Sequence, residues 1–368
     1  MLARLTRLRP LLVVRGLLAR RARPDLAALA AEEDPERFVW SVLPHAARSF
    51  AASIVVLPPD QARAMAVGYL YGRMLDTYED LFPDLDDRVA QLAAFADRFA
   101  TDPMPAPAPI PPTLAGDDRD RVHLLLVARC RHVDAVFGTL PQPTREATAA
   151  MIRAMAGGMA WSTEAMAAQG GLLVDEEQVA RYCRNVIGNP AVFALRVLGG
   201  ADLEPEVRRD AMTVGEMIQL ANITRDVERD LERGVGYHPA LAPLLSGAGD
   251  APDRNGTVRR VRAELTRMAL RRAPAYRRVF EAFSVHRPGA RAAAVMMLLF
   301  TDRHYRDCAR RCGLTPWRGA RTRMGIVART VPAALSARFA RRTLARVERR
   351  FLEAAPRFAA VAGSASTW

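Results

Sequence analysis

The sequence predicts an all-α protein. In two segments, polar residues recur at intervals that place them on one face of an α-helix. The polar stripes are Tyr69, Arg73, Asp76 and Asp80 in the first segment, and Gln219, Asn222, Asp226 and Asp230 in the second. An apolar stripe lies beside the second one, at Leu220, Ile223, Val227 and Leu231. Half of the 368 residues are apolar, which is enough to build a sizeable core.

Every basic residue in the chain is an arginine, and the arginines are concentrated towards the C terminus. The whole chain has a formal charge of +13, whereas residues 254–368 alone hold 26 arginines against 6 acidic residues. A basic surface of this kind attracts nucleic acid, an anionic membrane or a diphosphate group. The net charge does not distinguish among these three partners.

The N-terminal residues 1–24 contain seven arginines and no acidic residue. The arginines interrupt the apolar positions too often for a signal peptide, so a basic helix on a membrane surface and a disordered tail both stay open. No uncharged apolar run reaches 18 residues, so we expect no transmembrane helix. The four cysteines are unevenly spaced and do not suggest a disulfide framework, which indicates a reducing, cytoplasmic location.

An apolar segment at residues 38–58 contains one polar pair, Arg48 and Ser49. This segment predicts two helices, and a longer helix at residues 62–81 holds the first polar stripe. Residues 101–118 are rich in proline, which predicts a surface loop because proline is excluded from helix interiors. Further helices are predicted at residues 122–140, 143–168, from 175 onwards, 258–283 and 289–312; the Arg-rich residues 318–357 predict either a membrane-surface helix or a solvated cap.

Each polar stripe contains two aspartates separated by one helical turn, with an arginine close before the first of them. Two such carboxylates repel each other on a bare helix by a few tenths of a kcal/mol. Mg²⁺ reverses this effect, since it takes one or two carboxylate ligands and completes its shell with water and phosphate. A solvated acidic face, crossed in the second segment by Arg225, Arg229 and Arg233, is the alternative interpretation. The same arrangement in two helices favours metal binding.

Four short segments together resemble the squalene and phytoene synthase family, whose members join two prenyl chains head to head. The segments are ARSFAASI (Ala47–Ile54), YLYGRMLDTYED (Tyr69–Asp80), ARYCRNVIG (Ala180–Gly188) and QLANITRDVERD (Gln219–Asp230). They occur in the family order with family-like gaps, and the resemblance covers roughly residues 38–315. The DTYED and RSFAA segments are more similar to squalene synthases than to phytoene synthases.

The resemblance implies an isoprenoid synthase-type helical bundle, with a single domain, a central cavity and both aspartate pairs at the mouth of that cavity. On this basis we assign residues 1–35 to a basic N-terminal extension and residues 36–318 to the isoprenoid synthase domain. Residues 319–368 then form an Arg-rich C-terminal tail.

The family resemblance also implies a set of functional residues. The implied Mg²⁺ ligands are Asp76, Asp80, Asn222, Asp226 and Asp230. The implied diphosphate-binding residues are Arg48, Ser49, Tyr69, Arg73, Asn222 and Arg225, with the arginines forming charge-assisted hydrogen bonds. The catalytic set consists of the four aspartates and Tyr182, which is expected near the allylic cation, where it helps to steer proton loss. Such a reaction passes through a cyclopropylcarbinyl diphosphate and releases diphosphate.

The sequence departs from the family pattern at three places. Asn189 and Pro190 stand where the family has small apolar residues and glycine, so either a local kink or a more polar pocket wall is expected. Arg229 replaces a carboxylate, and Val235 replaces an arginine, so the metal shell and the grip on diphosphate could differ.

The expected substrates are farnesyl or geranylgeranyl diphosphate, and the expected products are of the squalene, presqualene or phytoene type. Use of NADPH stays open, because no Gly-rich dinucleotide motif follows a strand and squalene synthases bind NADPH without that motif. A peripheral membrane surface is an expected partner, since the substrate tails are apolar. The alternative is a same-fold prenyltransferase with a non-prenyl acceptor, such as an aromatic ring. A nucleic-acid partner is not expected, because it leaves both aspartate stripes unexplained.

Overall fold

The computed structural model describes most of the chain as helix. The described residues are 24–47, 49–82, 84–199, 202–246, 253–284, 286–320 and 322–363, without the side chains of Ser49 and Ser284. Within these ranges no β-strand occurs, apart from an isolated bridge between Leu172 and Gly236. The prediction of an all-α protein is therefore confirmed. The predictions for residues 1–23 and for Arg48 lie outside the described residues.

Two compact units make up the chain. The first unit comprises residues 1–160 and 193–202, and the second comprises residues 161–192 and 203–368. The helices up to the first boundary are α1 (Leu26–Ala30), α2 (Pro35–Ala47), α3 (Ser49–Val55), α4 (Pro59–Leu81), α5 (Leu85–Asp97), α6 (Asp118–Ala128), α7 (Cys130–Gly138) and α8 (Gln142–Ala168), which extends past it. Residues 101–117 are irregular except for one 3₁₀ turn, Pro112–Leu114, as their proline content predicts.

Helix α4 carries the first polar stripe and is fixed in the first unit through its opposite face. The Tyr71 hydroxyl donates a hydrogen bond of 2.8 Å to Asp134, whose other oxygen accepts one of 2.7 Å from Arg98. Tyr71 also makes edge-on ring contacts with Phe99 and Phe137, at centroid distances of 5.0 and 5.7 Å. This buried polar and aromatic cluster sets the rotation of α4 about its axis, so the polar stripe points away from it.

The second unit contains the remaining helices. They are α9 (Glu176–Cys183), α10 (Asn189–Gly199), α11 (Pro205–Glu232), α12 (Ala242–Leu245), α13 (Arg254–Leu270), α14 (Ala273–Val279), α15 (Pro288–Arg311), α16 (Arg323–Leu335) and α17 (Ala337–Ala362). Two π-helical turns, Arg184–Gly188 and Phe280–Ser284, and a 3₁₀ turn, Pro239–Leu241, complete it. Helix α10 runs on into the first unit.

Helix α11 carries the second polar stripe and is clamped by arginines from two neighbouring helices. Arg262 of α13 donates a 2.8 Å hydrogen bond to the carbonyl of Thr224 and pairs with Glu228. Arg311, at the end of α15, donates one of 2.9 Å to the carbonyl of Arg225. These contacts hold the C-terminal half of α11 in a fixed position.

The Arg-rich C-terminal residues are part of the second unit. Helix α17 packs on α13 and α15 through an apolar face that includes Leu344, Phe351 and Phe358, each of them at most 1% exposed. The remaining positions of α17 include seven arginines and two glutamates. None of the described helices is long and apolar enough to cross a membrane.

All four cysteine thiols are free and buried. Cys308 lies 3.4 Å from the Thr224 hydroxyl, and the Cys312 thiol faces the carbonyl of Arg259. Burial raises the pKa of each thiol, and that of Cys312 reaches about 12.

Candidate active site

The first polar stripe forms a connected group on α4. Arg73 makes a 2.9 Å ion pair with Asp76 and donates a 3.1 Å hydrogen bond to the Tyr69 hydroxyl. The Nε atom of Arg73 is buried and has no hydrogen-bond partner among the described residues. A buried donor without a partner costs about 1–3 kcal/mol, so this atom indicates a place for an acceptor such as a phosphate oxygen.

The surroundings of Asp76 shift the pKa of its carboxyl group in opposite directions. Burial raises the pKa of Asp76, Asp80 raises it further, and Arg73 and Arg119 counteract both effects. Asp76 thus lies in a surrounding where its negative charge is not fully compensated by the protein. Arg119, at the start of α6, was not selected by the sequence analysis because it lies 43 residues from Asp76 in a segment with no motif.

The other implied diphosphate residues of the first unit are only partly visible. Arg48 lies outside the described residues, and the structure describes the backbone of Ser49 but not its side chain. Their neighbour Phe50 contacts the Tyr69 ring at a centroid distance of 5.6 Å. This contact places Phe50 of α3 next to the first polar stripe.

The second polar stripe is a relay of hydrogen bonds along α11. Asn222 donates to Gln219 at 3.0 Å, and Arg225 donates to Asn222 at 3.2 Å. The Arg225 guanidinium also binds both oxygens of Asp226, one of them at 2.8 Å. Asp226 is therefore held in a defined orientation by a bidentate arginine, and Asp230 follows it by one turn on the same face.

His304 of α15 belongs to the same surroundings; the sequence places it on one helical face with Cys308 and Cys312 but does not relate it to Asp226. Burial and the nearby Arg225 lower the pKa of His304 to about 4, while Asp226 acts in the opposite direction. The imidazole is therefore neutral at physiological pH. The relation of His304 to Asp226 is established only by the packing of α15 on α11.

Tyr182 is buried at the end of α9 against a second tyrosine. The Tyr237 hydroxyl lies 3.3 Å from the Tyr182 hydroxyl, and the two ring centroids are 5.2 Å apart. Asp175 caps the start of α9 by accepting a 2.8 Å hydrogen bond from the backbone of Gln178, as its acidic start predicts. The Tyr237 contact was not predicted, since 55 residues separate the two rings in sequence.

The loop that carries Tyr237 is held from both sides. Gly236 exchanges backbone hydrogen bonds of 2.8 and 3.0 Å with Gly171 and Leu173. Gly171 has a φ of +88°, and a β-carbon there would lie 2.0 Å from the carbonyl oxygen of Gly234, so only glycine fits. His238, which follows Tyr237, accepts a hydrogen bond at Nδ1 from the backbone N–H of Ala240. Its proton is therefore on Nε2, and this nitrogen lies 3.2 Å from a carboxylate oxygen of Glu264.

The departure at Asn189 and Pro190 has a local structural explanation. In the π-turn, the backbone N–H of Asn189 reaches back five residues to the carbonyl of Arg184. Pro190 has no N–H to continue this pattern to the carbonyl of Asn185. The Asn189 side-chain amide supplies the missing donor, with a hydrogen bond of 3.1 Å to that carbonyl. The helix therefore continues through the proline.

We expect Asn189→Leu to lower the melting temperature and to leave the product unchanged, because it removes the donor to the Asn185 carbonyl. The loss corresponds to about 1–3 kcal/mol. Melting temperature and product profile are measured on the same variant, and Asn189→Asp, which keeps the shape but replaces the donor with a charged acceptor facing the Asn185 carbonyl, should melt at least as low. An altered product at an unchanged melting temperature would show that the side chain acts on the substrate.

The residues of the two stripes suit Mg²⁺ in their chemistry. Each stripe offers two carboxylates one turn apart, and Mg²⁺ is usually bound through one or two carboxylates and substrate phosphates, without a complete protein cage. No group of three or more His, Cys, Asp or Glu side chains in the described part of the chain is arranged to hold a metal ion. Burial and the neighbouring Asp80 raise the pKa of Asp76, and a cation beside this carboxylate would act in the opposite direction.

Comparisons with known proteins agree with this fold. Residues 43–325 match the family model described as squalene/phytoene synthase. The structures of a squalene synthase, TcSQS, with the ligands BPH1237 and E5700 share the fold, with TM-scores of 0.63 and 0.67. Both structures are 16% identical in sequence to this chain, and each alignment covers 90% of this chain. The alignments cover 97% of the BPH1237 complex and 96% of the E5700 complex. No curated protein matches the sequence.

The match to the family model, together with the all-α isoprenoid synthase-type fold, identifies the chain as a prenyltransferase. The chain belongs to the squalene/phytoene synthase family. This confirms the predicted family, the predicted type of fold and the predicted class of enzyme. The domain limits, the central cavity and the individual site residues remain predictions.

Proposed function

We propose that this protein condenses two molecules of farnesyl or geranylgeranyl diphosphate head to head, in a Mg²⁺-dependent reaction that releases diphosphate. Family membership supports head-to-head condensation. The observation that carries the finer assignment is Arg73, which is paired with Asp76 and hydrogen-bonded to Tyr69 and still keeps one buried, unpartnered donor. A diphosphate oxygen satisfies this donor, and Tyr69 is within reach to orient the same group.

The proposed roles follow from the chemistry of each side chain. Bound Mg²⁺ supplies charge stabilisation for the departing diphosphate. Asp76, Asp80, Asp226 and Asp230 are the proposed ligands, with Asn222 in support. The proposed diphosphate-binding residues are Arg48, Ser49, Tyr69, Arg73, Asn222 and Arg225.

Tyr182 is the residue that we propose to lie near the allylic cation. Its hydroxyl is oriented by Tyr237 at 3.3 Å, and both side chains are less than 10% exposed, so the pair offers an oxygen in a mostly dry environment. The oxygen of a phenol accepts a proton only weakly, so we propose that Tyr182 guides the direction of proton loss and that diphosphate is the stronger acceptor. Exclusion of bulk water protects the cation from capture.

The function is tested by incubating the purified protein with Mg²⁺ and either prenyl diphosphate, with and without NADPH, and analysing the organic extract by mass spectrometry. We expect a product that contains two prenyl chains and the release of inorganic diphosphate. The same mixture with chelator in place of Mg²⁺ serves as the control. A product with a single prenyl chain joined to another acceptor would contradict the proposal.

The alternative, a non-prenyl acceptor, loses part of its support. It depended on Asn189 as a polar group for a different acceptor, but the Asn189 amide is engaged by the Asn185 carbonyl. The other feature that supported it, Arg229, lies on α11 beside the second aspartate stripe. We therefore propose condensation of two prenyl diphosphates ahead of this alternative.

We further propose a cytoplasmic location with peripheral attachment to the inner face of the cell membrane. Prenyl substrates and products partition into lipid, and the Arg-rich C-terminal helices give the protein a cationic surface that an anionic membrane attracts.

A further inference from the structure

A pocket of about 870 Å³ lies among α15, the segment that follows it, α16 and α17. Six arginines line it: Arg306, Arg310, Arg318, Arg329, Arg346 and Arg350. No acidic side chain belongs to its lining, and none of the residues assigned to catalysis does. The pocket therefore shares no lining residue with the two aspartate stripes.

One of these arginines is fixed as the inner wall. Arg306 is 2% exposed, donates a 3.0 Å hydrogen bond from Nε to Asp302, and also donates to the carbonyl of Ala320. Trp317 donates to the other oxygen of Asp302 at 2.7 Å. A β-carbon on Gly319 would lie 2.6 Å from the Arg306 guanidinium carbon, so the backbone lies directly on this group. The inner wall is therefore rigid.

The outer arginines are not neutralised in this way. Arg310 pairs with Asp307, whereas the structure gives Arg318, Arg329, Arg346 and Arg350 no hydrogen bond or ion pair with any described residue. Burial lowers the pKa of Arg350; Asp302 opposes this effect, and Arg346, Arg329 and Arg306 reinforce it. Several guanidinium groups thus repel one another around a space that is large enough for an anion.

The same two helices carry the exposed apolar side chains of the protein. Among the described residues, the large apolar side chains that are most exposed all belong to α16 or α17: Met324, Val331, Leu335, Phe339 and Leu352. Leu335 is 81% exposed, and Phe339 also lines the pocket. Apolar side chains among arginines are typical of surfaces that enter the headgroup region of a bilayer.

We propose that this pocket binds the phosphate headgroup of an anionic membrane phospholipid. Guanidinium groups match phosphate oxygens in a bidentate geometry, and the exposed apolar side chains of α16 and α17 accompany the headgroup into the lipid. The pocket gives the proposed peripheral attachment a specific ligand class, and it does so independently of the catalytic reaction.

The test compares two charge-matched variants of the full-length protein. Arg346→Gln with Arg350→Gln removes two pocket arginines, whereas Arg338→Gln with Arg342→Gln removes two exposed arginines of the same helix and the same spacing that do not line the pocket. Binding to phosphatidylglycerol-containing vesicles is measured by co-sedimentation. We expect the pocket variant to lose about tenfold or more in affinity and the control about threefold or less.

Two measurements distinguish a loss of lipid binding at the pocket from unfolding of the variant and from failure of the proposed function. The pocket variant should melt at the same or a higher temperature, because it removes mutual repulsion around Arg350. Its turnover of prenyl diphosphate in detergent solution should equal that of the wild type. Absence of prenyl diphosphate turnover in the wild-type protein would contradict the proposed function and would leave the vesicle result unaffected.

Other outcomes overturn the assignment. An equal loss of vesicle binding in both variants would show a diffuse electrostatic attraction, and equal retention would show that the pocket plays no part in attachment. The same two variants are also titrated with inorganic diphosphate and with a DNA duplex. If one of these ligands, and not the vesicles, depends on Arg346 and Arg350, the pocket serves a soluble anion or a nucleic acid.

Discussion

Replacing Asp76 with asparagine is expected to reduce prenyl diphosphate turnover by about 10²–10³-fold, and Asp226→Asn should have an effect of the same size. An amide is a poor ligand for a hard cation, so the charge stabilisation of the leaving diphosphate is lost. The measurement is steady-state release of diphosphate at saturating Mg²⁺. Full activity in either variant would disprove the assignment of its stripe.

The fold of the Asp76→Asn variant should be preserved, and its metal-free form should melt at the same or a higher temperature. Burial raises the pKa of Asp76, so the protonated form favours folding. The stability that this proton contributes is present below the pKa of Asp76 in the unfolded chain. It is lost as the pH rises through the higher pKa of Asp76 in the folded protein. In metal-free wild-type protein the melting temperature should therefore decline over that pH range, and the variant should lack this decline.

Asp60→Asn is a matched control for this experiment. Asp60 is an exposed residue in the first turn of α4, about two and a half helical turns before Tyr69, where the first polar stripe begins. It should retain wild-type turnover and the wild-type dependence of melting temperature on pH. A similar loss of activity in Asp60→Asn would indicate a general effect of charge on α4.

The largest effect on stability is expected from Glu216→Ala. Glu216 is 5% exposed on α11 and accepts hydrogen bonds from Arg184, at 3.1 Å, and from Arg272. Its removal leaves two guanidinium groups without their shared buried partner, which costs about 3–5 kcal/mol. We expect a correspondingly lower melting temperature, measured by circular dichroism at 222 nm as the loss of helix.

The conservative variant and a surface control define the cause. Glu216→Gln keeps the shape and one hydrogen-bond acceptor, so it should fall between the wild type and Glu216→Ala. Glu206 lies on the same helix, is 87% exposed and pairs with Arg209 at 3.7 Å. Glu206→Ala should change the unfolding free energy by less than about 1 kcal/mol. A melting temperature in Glu216→Ala equal to that of Glu206→Ala would refute the buried-charge argument.

The sequence predicted those parts of the site that depend on local helical spacing. Asp76 and Asp80, or Asp226 and Asp230, share a face because each pair lies on one helix, and the start of α9 follows from the acidic residue Asp175 that caps it. A helix imposes the spacing of its own residues, so such relations can be read without knowing the tertiary structure.

Relations between distant segments could not be predicted in the same way. Tyr237 contacts Tyr182, His304 lies near Asp226, and Arg119 lies near Asp76 only because helices and loops pack together. The sequence left open whether Pro190 marks a local kink or a more polar pocket wall, since its accommodation by a π-turn depends on side-chain and backbone donors together. Hydrophobic periodicity carries no information on such exchanges.

The buried thiols have a practical consequence for labelling. All four native cysteines are at most 3% exposed and keep their protons at neutral pH, so maleimide reagents, which require an accessible thiolate, will leave them unmodified in the native protein. A cysteine introduced at an exposed position such as Arg338 would react selectively in an otherwise wild-type chain. An environment-sensitive fluorophore at that position, on α17, would then report in real time when this helix enters a lipid surface.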